Sequence, residues 1–201
     1  MNFTAKSHIL QPTIYVLDRP AKIHIQVTIF RCQAALAERV YKYIIMVNHY
    51  FSGVTDENVV VEVSSGNITI DELTGNDLSV RNGSGNININ SFQGKVNTVN
   101  QSGNIVVSNF VGEGTFDVGS GNIDLTVNDI IGDISLSSNS GTIDLIMGQN
   151  ISFIFDAEVR SGTINAPDLS RQVNTKVQHN IGFAPTYKVF AKNGSGNINI
   201  K

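Results

Sequence analysis

A Ser-Gly step followed by Asn or Thr and then Ile occurs seven times in this 201-residue chain, and nothing else in it restricts the fold so tightly. The copies are Ser65-Gly66-Asn67-Ile68, Ser84-Gly85-Asn86-Ile87, Ser102-Gly103-Asn104-Ile105, Ser120-Gly121-Asn122-Ile123, Ser140-Gly141-Thr142-Ile143, Ser161-Gly162-Thr163-Ile164 and Ser195-Gly196-Asn197-Ile198. Successive motif glycines are 19, 18, 18, 20, 21 and 34 residues apart. A near-constant period of this length marks a stacked repeat protein, in which no unit buries its own apolar face and neighbours must supply the cover.

A half-repeat sits inside the period. Gly75, Gly94 and Gly112 each follow a motif glycine by nine residues, and Gly132 follows Gly121 by eleven. Each unit therefore reads as turn, short strand, turn, short strand. The first strand alternates, with Ile68 and Ile70, Ile87 and Ile89, Ile105 and Val107, Ile123 and Leu125, Ile143 and Leu145. The second repeats the idea with Val59/Val61, Leu78/Val80, Ile134/Leu136 and Val189/Ala191. Alternation with period two puts these side chains on one face.

The expected fold is all-β: a single-stranded β-solenoid (a β-helix, expected to be right-handed) over residues 59–201, with coils of 18–21 residues. Stacking at about 4.8 Å pairs each strand with the coils above and below. It also lines up the motif isoleucines as one interior row, each contributing roughly 1.5–3 kcal/mol by burial. Gly66, Gly85, Gly103, Gly121, Gly141, Gly162 and Gly196 fit a corner that needs positive φ or close backbone approach. Asn67, Asn86, Asn104, Asn122 and Asn197 suit an Asx-type turn and a side-chain ladder between stacked neighbours. These are structural duties.

Residues 1–58 lack the motif and are expected to cap the solenoid, because open ends expose unpaired edges. Ile23, Ile25, Val27 and Ile29 alternate with polar residues as a strand does. Leu36, Ala37, Val40, Tyr41, Ile44 and Val47 follow helical spacing, so one amphipathic helix is expected there, with a strand pair as the alternative. Residues 34–47 carry Glu38, Arg39 and Lys42 and are too short and too charged to span a bilayer. No apolar run follows Lys6 and His8, and Asp18, Arg19 and Pro20 interrupt the next candidate, so no secretory signal is visible. Cys32 is the only cysteine and reads as a small, partly buried hydrophobe.

At the other end, residues 165–194 contain Pro167 and Pro185 and read as an excursion loop with a return strand around 187–191. The last residues, Asn197-Ile198-Asn199-Ile200-Lys201, stop in mid-coil. That strand is expected either to be covered by the excursion or to self-associate with another chain.

Charged residues make up only 15% of the chain, against about 25% in ordinary soluble domains. The net charge of −3 gives no electrostatic reason to expect a nucleic-acid partner. Nine-residue Gly-rich half-turns resemble calcium-binding β-rolls, but the loops GSGN, QSGN and NSGT offer amides and hydroxyls where a hard cation needs carboxylates. His8, His24, His49 and His179 have no metal-ligand spacing, so neither metal nor other cofactor is expected. One pattern does bear on catalysis. The outward row after the motif Ile runs Thr69, Asn88, Val106, Asp124, Asp144, Asn165, Asn199. Asp124 and Asp144 fall on adjacent coils, one strand spacing apart, close to the ~5 Å separation of a retaining glycosidase's carboxylates. Neither Trp nor an Arg pair converges on them, and a catalytic site needs several placed groups.

The repeated SGNI/SGTI motif, with its intervening Gly-[Asp/Lys/Glu] half-repeat and the long penultimate loop before a final SGNI strand, resembles the adhesin-like β-strand-repeat family of bacteria. The resemblance covers residues 59–201 and implies a β-helical fold, often associated with the cell envelope. Members commonly carry a leader or membrane-spanning segment, which is not seen here. The expected function is a non-catalytic scaffold or binding module with a protein or glycan partner at the cell surface. A polysaccharide-active enzyme using Asp124 and Asp144 is the alternative. The envelope location rests on the resemblance; without a visible signal, the cytoplasm stays open.

Overall fold

A computed structural model describes residues 22–25, 40–45, 49–55, 58–167 and 169–201. Cys32, residues 1–20, Val27 and Ile29 of the first expected strand, and Leu36, Ala37 and Val47 of the expected helix lie outside the described residues. The described elements are all strands. They are β1 (Lys22–Ile25), β2 (Val40–Ile45), β3 (His49–Thr55), β4 (Asn58–Val63), β5 (Ile68–Asn82), β6 (Ile87–Ile89) and β7 (Phe92–Ser102). Then follow β8 (Ile105–Ser120), β9 (Ile123–Met147), β10 (Phe153–Asn165), β11 (Gln172–Val173), β12 (Lys176–Ile181) and β13 (Tyr187–Ile200). All thirteen belong to one sheet.

Parallel pairing offset by one repeat dominates that sheet. Ile68 pairs with Ile87, Ile87 with Ile105 and Ile105 with Ile123, as the motif spacing requires. Second strands follow suit, from Val59↔Leu78 through Leu78↔Val96. The 20-residue step from Gly121 to Gly141 is absorbed by register shifts between β8 and β9. Gly112 pairs with Ile130 and Gly114 with Ile134, so two extra residues emerge there and Ile131 is left 55% exposed.

The interior is built as the alternation predicts. Ile68, Ile87, Ile105, Ile123, Ile143, Ile164 and Ile198 are each at most 1% exposed. A further row, Leu73, Phe92, Phe110 and Val127, fills the other end of the first strands. Phe92 and Phe110 stack with centroids 6.3 Å apart, and Phe110 meets Phe116 edge-on at 5.6 Å. Such ring pairs add about 0.5–1.5 kcal/mol beyond the area they bury.

Two expectations are corrected. The helix is absent where its span is described: Val40–Ile45 is strand β2, paired in parallel with β4 from Val40↔Asn58 to Ile45↔Val63. Val40, Tyr41, Tyr43, Ile44 and Ile45 are β-branched or aromatic, and the edge of β4 offers their backbone a ladder. The helical spacing loses to that ladder. Parallel pairing in fact continues on both sides of residue 58, since β3 also pairs in parallel with β5. The second correction concerns the final strand. β13 is not an open edge awaiting the excursion or another chain; it lies between β9 and β10 and pairs in parallel with both. The excursion covers β10 instead, because β11 and β12 run antiparallel along the side of β10 that faces away from β13. The stacking order of motif glycines is therefore Gly66, Gly85, Gly103, Gly121, Gly141, Gly196, Gly162.

Candidate functional site

The motif could be either a ligand loop or a structural corner, and its hydrogen bonds decide between them. Gly66 N–H donates to Ser84 O at 2.8 Å, and Gly85, Gly103 and Gly121 repeat the bond to the next serine at 2.9 Å. Gly103 has φ 115°, and a Cβ there would overlap the carbonyl oxygen of Gly85. Only glycine tolerates that conformation and that approach together. The asparagines form a ladder of a more specific kind than expected. Oδ1 of Asn67 accepts the backbone N–H of Asn86 at 2.9 Å, and Asn86, Asn104 and Asn122 pass the bond to Asn104, Asn122 and Thr142. Asn197 instead accepts from the Thr163 hydroxyl at 2.7 Å. At the last rung Asn174 closes the series: its Oδ1 accepts Gly162 N–H at 2.8 Å and its own N–H donates to Gly162 O. The corner residues bond to one another along the stack.

A second polar row was missed by the sequence reasoning. Three residues before each motif glycine stand Val63, Asn82, Asn100, Val118, Ser138, Val159 and Asn193. Asn82, Asn100, Ser138 and Asn193 are at most 3% exposed. Their side chains donate to the carbonyl of the motif glycine one rung away: Asn82 to Gly66, Asn100 to Gly85, Ser138 to Gly121 and Asn193 to Gly141. The amide oxygens of Asn82, Asn100 and Asn193 have no protein partner. The signal was present in the sequence as a recurring Asn at one fixed offset.

The outward row is assembled as Thr69, Asn88, Val106, Asp124, Asp144, Asn199, Asn165, with the last two exchanged relative to chain order. Asp124 and Asp144 do come together on adjacent rungs. Burial pushes the Asp124 carboxyl above its ordinary value, Asp144 pushes it further, and Lys201 pulls it back. Asp144 Oδ1 accepts Asn199 Nδ2 at 2.8 Å, and Asn199 Oδ1 accepts Asn165 Nδ2 at 2.8 Å. Two carboxyls of differing environment could share acid and base roles. Flanking them in the row are only an aliphatic side chain, Val106, and an amide, Asn199. Elsewhere, a shallow groove of about 220 Å³ lies on the second strands near Glu62, Arg81, Val99 and Gln101, away from the acid pair.

Among the described residues, three or more His, Cys, Asp or Glu do not group as a metal ion would require. No described helix is long and apolar enough to cross a membrane. Among the described residues, the most exposed large apolar side chain is Phe183, 91% exposed in the turn between β12 and β13. Comparison with curated proteins and with solved structures finds no match. The comparison with family models does. The Toastrack DUF4097 model matches residues 26–201, taking in every copy of the motif and the parallel strands β2 and β3 that precede it. The protein therefore belongs to the Toastrack DUF4097 family, a domain family of unknown function.

Proposed function

We propose that the chain is a non-catalytic β-solenoid scaffold or binding module of adhesin-like type, working at the bacterial cell envelope and presenting an outward β face to a protein or glycan. The observation that carries this is the use of the motif. Its glycine N–H groups and asparagine oxygens are bonded along the stack, so the repeated residues serve rigidity and leave recognition to the outward rows. A parallel ladder whose rungs share one interior row is what a coil of 18–21 residues would produce on closing. The envelope and adhesin roles rest on the family resemblance of the repeat, a likeness of fold. Fractionation of cells expressing the natural gene tests the location: recovery with the cytosol alone would sink the envelope assignment.

A second reading has one observation in its favour. Asp124 and Asp144 stand on adjacent rungs, and Asp124 holds its proton to higher pH than an ordinary carboxyl. A polysaccharide-active enzyme would use the former as acid and the latter as nucleophile or base. Release of reducing ends from a panel of glycans separates the two. No release is expected; turnover that vanishes in Asp124→Asn and Asp144→Asn would establish the enzyme and remove the scaffold.

A further inference from the structure

We infer that β13 is an exchangeable strand, and that the slot between β9 and β10 also accepts β13 from a second copy of this chain. The inference is independent of which partner the outward rows recognise. It starts from placement. β13 pairs with β9 from Val189↔Ile134 to Ile200↔Leu145 and with β10 from Tyr187↔Phe153 to Asn199↔Asn165. Both walls of the slot precede β13 in the chain, so β13 is the last of the three to be supplied. The fit is generic along its length. Gly196 lies between Gly141 and Gly162, and Ile198 between Ile143 and Ile164, motif on motif. Nothing in those contacts requires β13 to come from the same molecule.

The connection supplies the motive. Ile181 of β12 and Tyr187 of β13 are both partners of Phe153, so residues 182–186 must cross the start of β10 and span two strand spacings, about 9.6 Å. Ala184 sits in the left-handed region at φ 44°, and Gly182, two residues earlier, has φ 78°. An alanine there is strained. The turn is pinned by Phe183 N–H donating to Ser152 Oγ at 2.9 Å while the Phe183 ring stays in solvent. In an exchanged dimer each β13 contact is remade with the partner, and only this short strained turn changes; such hinges favour exchange at high concentration.

The test keeps the full chain. Glu158 and Lys192 are Cα partners across β10 and β13, so Glu158→Cys with Lys192→Cys, in a Cys32→Ser background, reports whose β13 fills the slot. Refolding at micromolar concentration is expected to give a monomer with the disulfide inside one chain. Refolding at millimolar concentration is expected to give a dimer by light scattering, with the disulfide joining two chains on a non-reducing gel. Ala184→Pro, which forbids positive φ, should raise the dimer share several-fold, and Ala184→Gly, which relieves the turn, should lower it. Should Ala184→Pro fail to fold, Ala184→Gly carries the same test. A disulfide confined to one chain at every concentration, or a dimer lacking the interchain disulfide, would overturn the inference.

Discussion

Between Gly66 and Gly141 the rungs stack in the order in which the chain makes them, whereas beyond Gly141 comes Gly196 and only then Gly162. The corner chemistry is the same in both regions. Glycine meets glycine, isoleucine meets isoleucine, and a polar side chain donates to a glycine carbonyl whether it is Asn100 or Asn193. What differs is the linker. Early rungs are 18–20 residues apart and each follows directly on the last, whereas the 21-residue step from Gly141 to Gly162 passes over one rung, which the chain fills 34 residues later with Gly196. The motif sets how rungs meet, and the path of the chain between copies sets which rungs meet.

The corner offers the hardest test of that distinction. Gly103→Ala drives a Cβ into the carbonyl of Gly85 at φ 115° and is expected to cost about 3 kcal/mol or more. Urea denaturation followed by circular dichroism would measure it. Gly162→Ala meets the carbonyl of Gly196 in the same way but on the last rung. Hydrogen exchange should then show protection lost from β10 and β13 while β5, β7 and β8 keep theirs. Equal loss throughout would mean that the two regions unfold as one, and the comparison would fail.

A middle-sized effect comes from the polar row. Val118 and Val159 already occupy this position, so Asn100→Val should fit and cost about 1 kcal/mol in lost hydrogen bonding. Asn193 donates to both Gly141 O and Asn197 O, as Asn100 does to Gly85 O and Asn104 O, but only the Asn193 bond reaches across the rung that is out of chain order, tying β13 to β9. If Asn193→Val costs clearly more than Asn100→Val in thermal melts, this row helps to select the strand that enters the slot. Equal costs would leave the linker as the only selector.

The smallest effect sits on the outward face at the junction between the regions. The Asp124 carboxyl titrates above its ordinary value of 3.8, burial being the larger cause and Asp144 the next. An acid whose folded pKa exceeds its unfolded one is deprotonated first in the unfolded chain. Its contribution to stability therefore falls as pH rises from the unfolded value through the folded one. Asp124→Asn should remove that loss, stabilising the fold at neutral pH and not near pH 3. Melting temperatures across that range check the sign; a variant less stable at neutral pH would show that the carboxylate is wanted there.

Much of this was legible from residues alone. The interior rows at Ile68, Ile87 and Ile105 and the turn at each motif glycine follow from period and chemistry, and the structure places them so. The adjacency of Asp124 and Asp144 was legible for the same reason; the burial of Asp124 was not, because it depends on what packs beside the row. The position of β13 was illegible on physical grounds. A motif that fits every neighbour cannot say which neighbour it has, and the 21-residue step from Gly141 to Gly162 reads like any other. Residues 40–45 misled because Leu36, Val40 and Ile44 keep helical spacing while Val40, Tyr41, Tyr43, Ile44 and Ile45 are themselves β formers.

A stack of like rungs is, chemically, one step from a fibre. Each rung templates the next, and nothing within the motif says how many there should be. The described termini of the stack supply the count. β1 runs against β3, and β11 and β12 run against β10, while Asn174 answers Gly162 from the bend between β11 and β12. A repeat arriving at β1, β11 or β12 would find the polarity reversed, and the glycine-to-serine and asparagine-to-amide bonds cannot propagate through a reversed strand. These strands act as chain stoppers do in a polymerisation, turning a template for endless growth into an object of fixed length.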